Sequence, residues 1–90
     1  MPTVHLVIKG KVQGVFFRAT AKDVAQALDL KGWVKNTPEG DVEVLATGDE
    51  DAIRQFIEWS KRGPDKAVVS SVAVTSLNEK SFDDFRIVRG

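Results

Sequence analysis

Residues 10–18 of the chain read GKVQGVFFR and lie between a stretch of alternating apolar residues and a stretch of helical periodicity. Gly10 and Gly14 permit a tight turn that points several backbone N–H groups at one spot. A helix that follows directs its unpaired N-terminal amides and the positive end of its dipole toward the same spot. Arg18 ends the stretch with a planar guanidinium suited to phosphate or carboxylate. These residues predict a strand-to-helix loop that forms an anion cradle of about phosphate size.

The segments on either side of this cradle loop (residues 10–18) have the periodicities of a strand and a helix. Residues 3–9 alternate between two faces, which is typical of a half-buried strand. From Phe17 to Leu28 apolar residues recur at helical spacing, and the pattern ends before Gly32, which we expect to stop the helix.

The rest of the chain predicts a hairpin, a second helix and two further strands. Residues 32–37 and 41–47 resemble two strands joined by a turn at 37–40, where proline and glycine favour turn geometry. Asp49 or its neighbours can cap a second helix, and Gly63-Pro64 ends it. Further strands are expected at residues 67–77 and 82–88, and no repeat or linker interrupts the pattern.

The order β-α-β-β-α-β plus a terminal strand predicts an α+β fold, a two-layer ferredoxin-like sandwich. We expect an antiparallel sheet with both helices on one face. The first and second strands would then run parallel with the third between them, so that their C-terminal ends share one edge. The cradle loop leaves the first strand at that edge, and Asn36 lies near the end of the second. Arg18 and Asn36 are therefore expected in one pocket.

Composition limits the class of protein. The 90 residues are 42% hydrophobic and 29% charged, which predicts one globular domain over residues 1–90. Lys plus Arg equals Asp plus Glu, at 13 each, so no basic field indicates a nucleic-acid partner. The chain has no cysteine and no apolar stretch near the roughly 20 residues of a membrane span. We expect a cytoplasmic monomer, with its single histidine, His5, on the surface and no metal site.

Two motifs resemble the signatures of the acylphosphatase family. Residues 8–18, IKGKVQGVFFR, resemble its phosphate-loop signature. Residues 32–43, GWVKNTPEGDVE, followed by Gly48, resemble its second signature, and residues 63–69 are similar to a looser segment entering the fourth strand. The resemblance covers essentially the whole chain. It departs at Phe16, where many members have a smaller residue, often glycine, and at the C-terminal Arg-Gly.

The resemblance implies hydrolysis of an acyl phosphate to a carboxylate and inorganic phosphate, with no metal and no cofactor. In the family an arginine binds the phosphoryl group and an asparagine orients the attacking water, and these roles carry onto Arg18 and Asn36. Since a carboxamide can aim a water but cannot usefully deprotonate it, we expect the proton to pass to the substrate's own phosphate oxygen. Backbone amides that are expected to hold the phosphoryl oxygens belong to Gly14, Val15, Phe16, Phe17 and Arg18.

Two other classes of protein are compatible with parts of this sequence. RNA-recognition modules share the topology but need exposed aromatic residues on the two central strands, and residues 3–9 and 41–47 contain none. A regulatory module that binds a phosphate-bearing metabolite would need Arg18 but not Asn36. A nucleotide P-loop is excluded because no Gly-Lys-Ser/Thr follows the loop.

Overall fold

The computed structural model describes residues 1–89, so the terminal Gly90 of the Arg-Gly departure lies outside the described residues. Its elements are β1 Thr3–Lys11, α1 Phe17–Ala27, β2 Lys31–Asn36, β3 Val42–Thr47, α2 Glu50–Ser60, β4 Val68–Leu77 and β5 Phe85–Ile87. The predicted order of helices and strands is confirmed. Within residues 1–89 neither helix combines the length and the apolar character needed to cross a lipid bilayer.

The strands form one sheet in the order β4-β1-β3-β2-β5. β1 pairs antiparallel with both β3 and β4, and β2 pairs antiparallel with β3. β1 and β2 therefore run in the same direction with β3 between them, as the sequence predicts.

The terminal strand corrects the expectation of an entirely antiparallel sheet, because β5 pairs parallel to β2 and the sheet is mixed. Leu77 at the end of β4 pairs with Thr3 at the start of β1. Phe85, at the start of β5, pairs with Gly32 near the start of β2. The connection at residues 78–84 therefore crosses the end of the sheet where β1 and β2 begin, from β4 on one side to β5 on the other. From that end β5 runs in the same direction as β2.

Both helices pack on one face of the sheet, as predicted. The buried cluster between the layers includes Leu6, Ile8, Val34, Val42 and Val44 from the strands and Phe17, Ala21, Ala25, Ile53 and Phe56 from the helices. The strand members alternate along each strand, so their side chains lie on a single face. Each fully buried large side chain contributes about 1.5–3 kcal/mol to stability.

Helix α1 ends at Ala27, and the left-handed residue that terminates it is Asp29 rather than the glycine expected to stop it. The N–H of Leu30 donates to the carbonyl of Ala25 at 2.9 Å, which is the longer bond of a Schellman motif. Asp29 holds the left-handed position of that motif, with φ 58°. Gly32 lies instead in β2, where a Cβ would clash with the carbonyl oxygen of Leu45. The glycine is therefore required for strand pairing.

Candidate active site

The register of the sheet places Asn36 close to the start of α1. Ile8 pairs with Val42, and Val42 pairs with Asn36, so the three residues form one row across β1, β3 and β2. Ile8 and Val42 are fully buried beneath the helices. Because paired residues share a face, Asn36 lies on the helix-covered side of the sheet, at the end of β2.

Two left-handed residues shape the cradle loop before α1. Gly14 has φ 74° and Phe16 has φ 63°, whereas Val15 between them lies outside the left-handed region. Such alternation turns successive N–H groups toward one side, which is the arrangement of an anion-binding nest. Earlier in the loop, Gly10 has no alternative, since a Cβ there would clash with the carbonyl oxygen of Val68 in β4.

The backbone N–H groups of residues 14–18, at the end of the loop and the start of α1, are not used within the described chain. No carbonyl in residues 1–89 accepts a hydrogen bond from the N–H groups of residues 14–18. The N-cap residue Phe16 makes no side-chain cap hydrogen bond, and the first turn of α1 has no acidic residue. The positive end of the α1 dipole is therefore not neutralised by a cap or by an acidic residue of its first turn, which makes it a candidate anion site.

A cavity of about 300 Å³ opens at this point. It is lined by Val12, Gly14, Phe16, Phe17, Arg18, Ala19, Asn36, Ile87 and Arg89. Val15 is the predicted site residue that does not line it, because its side chain lies in the core. The cavity thus brings together Arg18 and Asn36, which the sequence separates by 18 positions, and its charged groups are guanidiniums.

Both of these residues carry polar groups that the rest of the fold leaves unused. Asn36 Oδ1 is buried, and no protein group within residues 1–89 donates to it. Such buried acceptors are rare, because burial without a partner costs about 1–3 kcal/mol. In the same part of the chain no carboxylate forms an ion pair with the Arg18 guanidinium. The guanidinium of Arg18 and the N–H groups of residues 14–18 therefore remain available as donors beside the cavity, and the carboxamide of Asn36, which also lines it, has an oxygen without a partner in residues 1–89.

Gln13 connects the cradle loop to the turn that follows Asn36. Its Nε2 donates to the carbonyl oxygens of Thr37 and Asp41, both at 2.9 Å. The Thr37 hydroxyl accepts the Asp41 N–H at 3.1 Å, which closes the turn. Sequence reasoning gave Gln13 no role, although a long amide side chain between two loop glycines is a usable signal. These two hydrogen bonds tie the loop to the turn that begins directly after Asn36.

The two phenylalanines of the loop point in opposite directions. Phe17 is 2% exposed, and its ring packs against Trp59 with a centroid distance of 5.2 Å. Phe16 is 80% exposed and lies at the cavity. The Phe16 carbonyl accepts both the N–H of Thr20 at 3.1 Å and its hydroxyl at 2.9 Å. The backbone at Phe16 is therefore restrained by its hydrogen bonds to Thr20 and by the burial of the next residue, Phe17.

On the helix-free face of the sheet, charges are paired within the chain. His5 Nε2 donates to Glu43 Oε2 at 2.6 Å, and Lys35 Nζ lies 3.5 Å from Glu43 Oε1. The hydrogen bond from His5 lowers the pKa of Glu43; burial opposes this shift and Lys35 reinforces it. His5 lies outside the core as expected, but its pairing with Glu43 could not be read from the sequence, because it depends on the register of β1 and β3. Glu43 lines a groove next to the cavity.

The fold and the cavity define a class of protein: a two-layer α+β sandwich with a candidate anion site where the first strand passes into the first helix. The sequence profile of the family described as Acylphosphatase matches residues 4–87. The chain belongs to the acylphosphatase family of hydrolases, whose reaction is the hydrolysis of acyl phosphates. The resemblance read from the two motifs is confirmed, and so is the ferredoxin-like α+β fold.

Individual relatives agree over nearly their whole length. The acylphosphatase of Coxiella burnetii (strain RSA 493 / Nine Mile phase I) is 44% identical over 84 residues, which cover 93% of this chain and 88% of that protein. The acylphosphatase of Pyrobaculum islandicum (strain DSM 4184 / JCM 9189 / GEO3) is 48% identical over 86 residues, with 93% and 90% covered. The crystal structure of acylphosphatase from Bacillus subtilis is 37% identical with a TM-score of 0.95, and covers 98% of this chain and 99% of that one.

Proposed function

We propose that residues 1–90 act as one domain that hydrolyses acyl phosphates without a metal or other cofactor, with Arg18 and Asn36 as its catalytic residues. The observation that supports this proposal is the convergence of three unused groups at one cavity. They are the unpaired N–H groups of residues 14–18, of which all but Val15 line the cavity, the Arg18 guanidinium, and the carboxamide of Asn36, whose Oδ1 has no partner in residues 1–89.

The phosphoryl group is held by the loop amides and by Arg18. Phosphoryl transfer proceeds through a loose, in-line transition state with charge spread over three equatorial oxygens. Backbone N–H groups and a guanidinium donate charge-assisted hydrogen bonds to those oxygens, and they need no reorganisation during the reaction. Gly14, Phe16 and Phe17 line the cavity together with Arg18, and this position supports the assignment of their amides to the phosphoryl group. Binding therefore also relieves the repulsion between the anion and its nucleophile.

Asn36 orients the attacking water. Its Oδ1 accepts a hydrogen bond from the water, whose oxygen attacks phosphorus. The bond between phosphorus and the acyl oxygen breaks, and its electron pair leaves on the carboxylate. A proton of the water passes to a phosphoryl oxygen of the substrate, because the carboxamide is not a base at neutral pH. A carboxylate is a good leaving group, so the reaction requires no strong general acid from the protein.

Ultraviolet-monitored hydrolysis of benzoyl phosphate, with a chelator present, tests this proposal. We expect the native chain to turn over under these conditions. Arg18→Lys is expected to lower kcat/KM by about 10²-fold or more, because an ammonium cannot make the two-pronged contact of a guanidinium. Arg62→Lys makes the same change at an exposed arginine outside the cavity and is expected to keep the native rate.

Three outcomes would contradict parts of the proposal. A native chain that binds inorganic phosphate but hydrolyses no acyl phosphate would be a binding module rather than an enzyme. Loss of turnover on adding the chelator would overturn the metal-free mechanism. Native-like turnover by Arg18→Lys would remove Arg18 from its assigned role.

A further inference from the structure

Neither packing nor backbone preference accounts for a phenylalanine at position 16. At 80% exposure, Phe16 is the most exposed of the large hydrophobic side chains in residues 1–89, and it takes no part in the core. Its backbone is left-handed, with φ 63° and ψ 25°. Glycine adopts this conformation without strain, whereas a bulky side chain adopts it rarely. The phenylalanine at position 16 therefore strains the backbone, and its ring adds no stability through burial in the core.

The backbone on both sides fixes where this ring lies. The Phe16 carbonyl is held by the N–H and the hydroxyl of Thr20, and the next residue, Phe17, is anchored in the core. A fixed backbone fixes the direction of the Cα–Cβ bond. The ring consequently stands at the cavity that Arg18 and Asn36 also line.

Asn36 and Phe16 both line the cavity but differ in exposure. Asn36, which is proposed to orient the water, is half-buried at the end of β2, whereas Phe16 is almost fully exposed. In an in-line displacement the leaving group lies opposite the attacking water. A water held by Asn36 therefore places the acyl group on the more exposed side of the cavity, where the phenylalanine stands.

We propose that the ring of Phe16 forms the acyl-group subsite of this chain and makes it prefer acyl phosphates with an aromatic or extended apolar acyl group. The inference rests on the function proposed above and adds the substrate class to it. An aromatic ring offers a large apolar surface, and the gain from a second ring is greatest when the two rings stack offset or edge-to-face. The proposed phosphate contacts, by contrast, come from backbone amides and a guanidinium, which do not distinguish one acyl group from another.

The ratio of kcat/KM for benzoyl phosphate to kcat/KM for acetyl phosphate measures this preference. Phe16→Asn removes the ring at a position whose left-handed backbone asparagine tolerates, and we expect the ratio to fall about 3- to 10-fold. Phe16→Tyr keeps the ring and is expected to retain the native ratio. Val74→Thr, at another exposed apolar residue that lies on β4 outside the cavity, serves as the matched control.

A binding arm separates this inference from the proposed function. Benzylphosphonate and methylphosphonate bind without turnover, so their dissociation constants report the subsite even if the native chain hydrolyses neither substrate. We expect the native chain to bind the benzyl compound more tightly, and Phe16→Asn to lose that preference. A purely structural role for the ring would weaken both phosphonates and inorganic phosphate equally.

The results divide cleanly between support and contradiction. Support is a fall in the benzoyl-to-acetyl ratio and in the benzyl preference for Phe16→Asn, together with rescue by Phe16→Tyr. The inference is overturned if both quantities stay within about two-fold of native in Phe16→Asn, or if phosphate affinity falls in parallel with both ligands. Absence of hydrolysis with an intact benzyl preference would overturn the proposed function alone.

Discussion

The two helices of the molecule begin in opposite electrostatic environments. The N-cap of α2 is Asp49 in an extended conformation, and its first turn contains Glu50 and Asp51. The N-cap of α1 is the left-handed Phe16, and its first turn contains no acidic residue but the basic Arg18. Neither helix has a side-chain cap hydrogen bond. α2 therefore neutralises its dipole with its own carboxylates, whereas α1 has no carboxylate in its first turn to do so.

The residues in the first turn decide whether a helix start is stable by itself or is suited to binding an anion. A carboxylate in the first turn stabilises a helix by about 0.3–1 kcal/mol, and a cation there is unfavourable by a similar amount. Arg18 is thus a poor choice for the stability of α1 on its own. An anion bound to the amides and the guanidinium reverses the sign of that contribution. A helix that begins with a cation after a glycine loop indicates a binding site, and one that begins with two carboxylates does not.

The largest expected effect tests the ligand side of this comparison at Asn36. Asn36→Ala removes the carboxamide that is proposed to orient the water, and kcat is expected to fall on the order of 10²–10³-fold. Phosphate binding is expected to persist, because the amides and Arg18 are untouched. Steady-state kinetics with product inhibition by inorganic phosphate separates the two quantities. A loss of phosphate affinity with intact kcat would assign Asn36 to binding instead.

An acidic residue placed in the first turn of α1 should make this helix start resemble that of α2. Ala19 is exposed, lies in the first turn of α1 and lines the cavity. Ala19→Glu is expected to raise the free energy of unfolding by up to about 1 kcal/mol. It should also weaken inorganic phosphate about 10- to 100-fold through like-charge repulsion.

Ala19→Gln adds the same bulk without the charge, so the difference between the two variants isolates the electrostatic effect. Urea unfolding and phosphate inhibition measure the two consequences. If the glutamate and glutamine variants bind phosphate equally, the α1 terminus is not the anion site.

Loosening the loop that precedes α1 should have a smaller effect. Gln13→Ala removes two hydrogen bonds between the loop and the turn after β2, which is expected to cost about 1–2 kcal/mol of stability. We also expect kcat to fall about 3- to 10-fold, since a misplacement of about 1 Å lowers rates measurably. Gln55→Ala, at an exposed residue of α2, is the matched control. Destabilisation with an unchanged kcat would show that Gln13 supports only the fold.

The smallest effect concerns Glu43, whose charge, like those at the start of α2, is satisfied within the chain. The pKa of Glu43 is lowered from 4.5, chiefly by the hydrogen bond from His5, so folding favours its charged form. That contribution is complete above pH 4.5 and is lost as the pH falls through the lowered pKa. Glu43→Gln is expected to cost less than about 1 kcal/mol at neutral pH, because the pair is partly exposed.

Urea unfolding of the native chain and of Glu43→Gln over a pH series checks this expectation. The difference in unfolding free energy between them should shrink below pH 4.5 as the native carboxylate becomes protonated. A difference that persists unchanged in acid would mean that the glutamate acts through packing rather than charge.

Much of the fold follows from short-range patterns in the sequence. The alternation of residues 3–9 and the helical spacing after Phe17 fix which faces are buried, and the observed core confirms both. The direction of β5 could not be predicted from such patterns, because it depends on the end of the sheet across which the chain passes from β4 to β5. The end of α1 also depended on context, since Asp29 occupies the left-handed position in place of a glycine.

The part of the candidate site that depends on the chemistry of single side chains could be predicted from the sequence. Arg18 and Asn36 each carry a group with an evident partner chemistry, and the topology brings them together. The contacts of Gln13 with Thr37 and Asp41 were not predictable, because they depend on how the two loops approach each other. The side-chain direction of Phe16 was likewise set by a left-handed backbone that sequence patterns do not reveal.

Amide chemical shifts during titration with inorganic phosphate compare the two helix starts most directly. If the start of α1 holds the phosphoryl group, the ¹⁵N–¹H resonances of Gly14, Phe16, Phe17 and Arg18 will move saturably. Those of Glu50 and Asp51 at the start of α2 will stay in place. Unmoved loop resonances, or equal movement at both helix starts, would contradict the assignment of the anion site.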